Sequence, residues 1–100
     1  MALAAHSLEG GEVIKIDMPA RFSFDIHSEL RKVYVDNKKV KSFIVDLSQT
    51  TFLDSSALGM LLQLREHAGD KIDSVRVINA KGNVREILKV ADFGQMVMIE

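Results

Sequence analysis

Few side chains in this sequence could carry chemistry: three histidines, His6, His27 and His67, a scatter of carboxylates, and the serine pair of Asp54-Ser55-Ser56. Cysteine is absent, no His-Glu-x-x-His spacing occurs, and neither common glycine-rich phosphate loop is present. Zinc hydrolysis, thiol chemistry and nucleotide cradling therefore lack their usual residues. Ser56 sits between a predicted strand and a predicted helix, as a hydrolase nucleophile does. That sharp turn takes the form G-x-S-x-G, however, and the flanks here are Asp54 and Leu58. His67 lies eleven residues further along the same predicted helix, about 16 Å away at a rise of 1.5 Å per residue, too far to serve Ser56 as a base. The chain is not expected to be an enzyme, and no cofactor or metal is expected.

Asp54-Ser55-Ser56 remains, at the head of a helix that follows an apolar strand. A helix start leaves backbone N–H groups unpaired and carries the positive end of the dipole, so a serine there is accessible and a phosphate on it is well placed. The same residue types are ordinary helix caps. Both readings fit the residues, and they are compatible with one another.

The elements that must position this turn follow from apolar periodicity. One hundred residues, 47% of them hydrophobic, suit one compact domain held by a modest core. Over 13–18, Ile14, Ile16 and Met18 fall on one side at period two, with Val13, Lys15 and Asp17 on the other, which predicts a strand ended by Pro19. Glu9-Gly10-Gly11 offers a turn, so residues 3–8 are expected to pair back as the first arm of a hairpin. From Ser23, read as an N-cap, the residues Ile26, Leu30, Val33 and Tyr34 repeat at helical spacing.

Residues 42–47 read as a central strand buried on both faces. Leu58, Leu61, Leu62 and Arg65 repeat along a second helix from about 54–56 to Ala68, with Gly69 as its stop. A strand over 74–78, a third helix bearing Val84, Ile87, Leu88 and Ala91, and a final strand over 95–99 complete the pattern. Helices alternating with strands call for an α/β fold, with a largely parallel sheet and right-handed crossovers.

Thirteen basic against fourteen acidic residues, a net charge of 13 − 14 = −1, supply no electrostatic pull toward nucleic acid. The longest apolar run, Ala57 to Leu62, is six residues, against about 20 for a membrane span. The start, Met1-Ala-Leu-Ala-Ala-His-Ser, lacks the basic cluster and apolar length of a secretory signal. A cytoplasmic protein is expected, without nucleic-acid or membrane partners. Lys38, Lys39 and Lys41 read as a solvated turn, and Met96 and Met98 as strand residues with one face of that strand in the core.

Phe43-Ile-Val-Asp-Leu-Ser48, followed after four residues by Leu53-Asp-Ser-Ser-Ala-Leu-Gly59, resembles the STAS family, and within it the bacterial anti-anti-sigma factors, or anti-sigma factor antagonists. The likeness spans nearly the whole chain, 1–100 as a single STAS domain. It implies a small mixed, largely parallel sheet, an N-terminal hairpin plus three further strands, packed by three to four helices. Ala57 replaces the first glycine of the family's Asp-Ser-Ser-Gly-Leu-Gly signature. Where many members carry Gly-x-Leu-Asp, this chain has Ala20-Arg-Phe-Ser23, so Ser23 stands in place of an aspartate near the phosphosite, with Asp46 as a substitute source of acidity.

The resemblance implies Ser56 as phosphoacceptor, with Asp54 and Ser55 beside it, and a partner switch in which the unmodified chain sequesters an anti-sigma factor. The implied partners are an anti-sigma factor, a serine protein kinase and a metal-dependent serine phosphatase. A monomer suffices for this role. Met60 and Leu64, off the predicted apolar face of the second helix, are read as partner-facing. The alternative is a constitutive, never phosphorylated STAS scaffold on an ATPase or transport complex, as in lipid-transport machines of the superfamily.

Overall fold

In the computed structural model, which describes residues 2–100, Gly10 and Gly11 take φ of +69° and +94°, values that favour glycine. They sit in a 3-10 turn over Glu9–Gly11 that reverses the chain between β1 (Ala4–Leu8) and β2 (Val13–Asp17). These two strands pair antiparallel, with His6 opposite Lys15. The chain continues through β3 (Arg21–Phe22), α1 (His27–Tyr34), β4 (Ser42–Asp46), β5 (Phe52–Leu53), α2 (Ser55–His67), β6 (Val75–Ile78), α3 (Gly82–Val90) and β7 (Met98–Ile99). The main sheet has the order β1-β2-β4-β6-β7, and every pair after the hairpin is parallel.

Because this order advances in one direction, right-handed crossovers carry their helices to one face of the sheet. Burial follows that rule. Ile14, Ile16, Phe43, Val45, Val75 and Val77 are buried, while Lys15, Asp17, Ile44, Asp46, Arg76 and Ile78, on the alternate positions, are only half-buried. This corrects the expectation that residues 42–47 are buried on both faces. The strand is central, but helices cover one side of it.

Four other expectations shift. The first helix is preceded by a 3-10 turn over Phe24–Ile26, and Ser23 makes no capping bond, its hydroxyl donating to Asp25 instead. The last strand is only Met98–Ile99, because a 3-10 turn over Phe93–Gln95 occupies the residues before it. In α2 the buried stripe is Ala57, Met60, Leu61, Leu64 and Ala68, at spacings of 3 and 4 that suit a helix face. Met60 and Leu64 are thus core residues, Met60 only 3% exposed, and neither faces a partner. A second, two-stranded sheet, β3 beside β5, has no counterpart in the sequence pattern, since two residues are too few for any period to show.

That small sheet fixes the approach to α2. Arg21 pairs with Phe52 and Phe22 with Leu53, in parallel register. The buried Thr50 donates its hydroxyl to the carbonyl of Pro19 at 2.8 Å. The amides of Thr51 and Phe52 both donate to the carbonyl of Ala20, at 2.9 and 3.1 Å. At the far end of α2, Gly69 adopts φ of +115° and the amide of Asp70 donates to the Arg65 carbonyl, a glycine stop.

Met60→Ala is expected to destabilise the protein by about 2–5 kcal/mol in urea unfolding, as truncations of buried side chains do. Gly59→Ala, one residue earlier, is expected to be neutral or stabilising by up to about 1 kcal/mol, because a Cβ there meets nothing within 4 Å and glycine weakens a helix interior. Equal effects of the two substitutions would contradict this orientation of α2.

Candidate functional site

The head of α2 is built by one carboxylate. Asp54 has extended backbone, φ −123° and ψ −174°, and occupies the N-cap. Its Oδ1 accepts the amide of Ala57 at 3.2 Å and the hydroxyl of Ser56 at 2.5 Å. The Ser56 bond and, against the opposing effect of desolvation, the neighbouring amides and the charge of Arg21 hold the Asp54 carboxyl below its ordinary pKa. Ser55 is exposed, Ser56 half-buried and Ala57 fully buried. The methyl of Ala57, where the family signature has glycine, therefore lies in the core.

Around this turn stand residues that the sequence did not single out. β3 and β5 run side by side, so Ser23 and Asp54 leave the small sheet at the same end. The Arg21 guanidinium lies 4.3 Å above the centre of the Phe52 ring, a cation–π arrangement. Phe52 is 37% exposed and Phe24 is 66% exposed, and Phe24 stacks on His27 with centroids 5.0 Å apart. The Arg21 guanidinium and the exposed Phe52 ring thus lie on the strand that leads into the serine pair and on its neighbour. The available signal was only that phenylalanines sat at 24 and 52 in otherwise polar loops.

Two sequence-predicted site residues lie elsewhere. Asp46 points to the open face of the sheet, since its neighbours Val45 and Leu47 point under the helices. Its carboxylate accepts from the Ser48 amide and the Asn79 side chain, at 2.9 and 3.1 Å, and lies 3.4 Å from Lys15 Nζ. Partial burial alone would raise its pKa, but these bonds outweigh it and the net shift is downward. Lys15 also pairs with Asp17, which accepts from His6. Asp46 thus serves a polar cluster across β1, β2 and β4, and makes no hydrogen bond to Asp54, Ser55 or Ser56. Met60 faces the core, as described above.

The histidines are dispersed. His6 meets Asp17 across the hairpin at 3.0 Å, and His27 stacks on Phe24. His67 packs against Tyr34 and Phe43 and contacts the Asn37 carbonyl at 3.1 Å. Among the described residues no three His, Cys, Asp or Glu side chains group as metal ligands do.

A mixed five-stranded sheet with three helices is the architecture of a STAS domain. Residues 9–100 match the family described as Mlab, STAS domain, and the chain belongs to the STAS-domain family. It is 38% identical over 103 residues to a STAS-domain containing protein of Pseudomonas aeruginosa (strain UCBPP-PA14), with 99% of each chain covered. Among solved structures, the protein TM1081 superposes with a TM-score of 0.77 at 16% identity, over all of this chain and 80% of that one. The anti-sigma factor antagonist SpoIIAA in its unphosphorylated form gives 0.69 at 15% identity, over 88% and 82%. The Bacillus cell fate determinant SpoIIAA in the phosphorylated form gives 0.67 at 16%, over 99% and 91%.

Loss of the cap is predicted to be measurable. Asp54→Ala should lower the Tm by roughly 4–8 °C, the usual consequence of losing an N-cap in a domain of this size. Asp54→Asn keeps a capping oxygen but no charge. Because the folded-state pKa of Asp54 is depressed, its charge stabilises the fold above the unfolded value and ceases to do so as pH falls through the folded one. The Tm advantage of the parent over Asp54→Asn should therefore be full near neutral pH and shrink below about pH 4. A difference independent of pH would show that the charge does not matter.

Proposed function

We propose that this chain is an anti-sigma factor antagonist switched by phosphorylation of Ser56. Unmodified, it binds an anti-sigma factor in the cytoplasm and so frees a sigma factor. A serine kinase then transfers the γ-phosphoryl group of ATP to Ser56 Oγ, with loss of the hydroxyl proton and release of ADP, and the complex dissociates. A metal-dependent serine phosphatase restores the hydroxyl. In this reading the chain is a binding protein and a kinase substrate, not an enzyme.

One observation carries the proposal. Ser56 presents a hydroxyl in the first turn of α2, held by Asp54 at 2.5 Å, beside a core-facing Ala57, and the strand that leads into this turn carries the exposed Phe52 under the Arg21 guanidinium. Exposed aromatic residues suit the centre of a protein interface. A phosphate adds about −1.5 to −2 charge beside the Asp54 carboxylate, so that repulsion and desolvation oppose any partner docked there. Family membership supports the reading, as does a fold shared with a protein solved both with and without its phosphate.

A second reading is the constitutive STAS scaffold on an ATPase or transport complex, which the STAS fold and the helix cap at Asp54 would serve equally well. There Ser56 remains a hydroxyl that buttresses the cap.

The two separate by titration calorimetry against a protein partner isolated by pull-down with the unmodified chain, an anti-sigma factor on the first reading and an ATPase or transport subunit on the second. A phosphate effect of about 2–4 kcal/mol corresponds to an affinity change of about 30- to 800-fold. Ser56→Ala should bind like the unmodified protein. Ser56→Asp, with about half the charge of a phosphate, should bind more weakly, toward the lower end of that range. Equal affinities for the two variants, together with no loss on true phosphorylation, would leave the scaffold reading standing.

A further inference from the structure

We propose that Arg21 is the internal counter-ion of a phosphate on Ser56, held beside the head of α2 by the pairing of β3 with β5. The inference rests on the reading of Ser56 as phosphoacceptor and adds what happens inside the molecule once the phosphate is there.

The geometry begins with register. Arg21 lies opposite Phe52, and Phe52 is two residues before Asp54, whose carboxylate holds the Ser56 hydroxyl. The guanidinium rests over the Phe52 ring at 4.3 Å, which engages its flat face and leaves the N–H edges free. Among the described residues, no carboxylate lies within the 4.0 Å of an ion pair with Arg21. Arg65 and Arg76 differ. Arg65 donates to the carbonyls of Met96 and Asp70, and Arg76 forks onto Glu100. Arg21 is thus a donor fork without an acceptor, on the segment that lies against the serine turn.

Modification supplies the acceptor. Before it, the Ser56 hydroxyl donates a hydrogen bond to Asp54. Afterwards that proton is gone, and a dianion with three acceptor oxygens faces the Asp54 carboxylate. Asp54 and Asp25 are the carboxylates on the two segments that meet here, and both repel the phosphate. Arg21 is the cation those segments provide, and a planar guanidinium binds phosphate through two parallel N–H bonds. Recruiting it draws the guanidinium off the Phe52 ring. Phosphorylation then alters the surface twice: it adds charge at the helix head, and it removes from the rim the cation that a partner's carboxylate could have met.

The test is a 31P NMR titration of the full chain carrying phosphoserine at position 56, installed by genetic encoding. The second pKa of an unperturbed phosphoserine is about 6, and a cation in contact lowers it. With Arg21 present the value should lie about half a unit or more below that of Arg21→Gln. Arg21→Lys should restore part of the shift, and added salt should shrink it. Identical titrations for the parent and Arg21→Gln, with both folded by circular dichroism, would overturn the proposal. Because the phosphate is installed directly, that failure would leave Ser56 as phosphoacceptor untouched. Absence of phosphate in the cell would instead remove the switch without altering the titration.

Discussion

The seating of α2 on the sheet is the constraint from which the rest of the molecule follows. Ala57, Leu61 and Leu64 are completely buried and Met60 nearly so, so the helix has one allowed rotation about its axis. Half a turn would expose these apolar side chains and bury Gly59, Gln63 and Glu66, which are exposed. Burial of a large apolar side chain contributes about 1.5–3 kcal/mol, and the three such terms from Met60, Leu61 and Leu64 exceed any local preference of the turn. With the rotation fixed, Ser55 points outward and Ser56 lies at the edge of the buried stripe. There its hydroxyl reaches the carboxylate that caps the helix. Core and site are therefore continuous: the residue after the serine pair is the first of the core.

The approach to that turn is set by hydrogen bonds rather than by apolar mass. Thr50 bonds to Pro19, and the amides of Thr51 and Phe52 share the carbonyl of Ala20, which locks the loop before α2 to the link after β2. The two-residue pairing of β3 with β5 is the outcome, and it brings Arg21, Phe52 and Asp54 to one corner. Opposite the helices, the open sheet face carries its own polar cluster of Asp17, Lys15 and Asp46. Lys15 holds the carboxyl of Asp17 below its ordinary pKa, and the ion pairs tie the hairpin to the central strand. This cluster explains two carboxylates that would otherwise look functional.

Most of the fold was legible in the sequence because its elements are long enough to show a period. The Gly10-Gly11 turn, the strand over 13–17, the Gly69 stop and the α/β alternation all stand as the pattern predicts. What was not legible has physical reasons. The rotation of α2 was misread because Leu58 and Leu62 are as apolar as Met60 and Leu64, and a helix with leucines on several sides has two plausible faces. The burial of β4 on one side only depends on the number of helical layers, which Phe43-Ile-Val-Asp does not encode. Asp46 lies close in sequence to the serine turn, yet strand alternation turns it to the opposite face. Asp54 and Ser56 stood out because residue type and position coincide at a helix start, whereas Arg21 becomes a neighbour of the site only through the pairing of β3 with β5.

The central claim is that the hydroxyl held by Asp54 is a modification site and not only part of a cap. The most direct measurement is peptide mass spectrometry on the protein isolated from the cells that encode it, before and after incubation of their lysate with ATP. The account predicts one added phosphate, on Ser56, absent from Ser56→Ala protein treated alike. A chain that stays unmodified in every growth condition, or carries its phosphate on the more exposed Ser55, would contradict it.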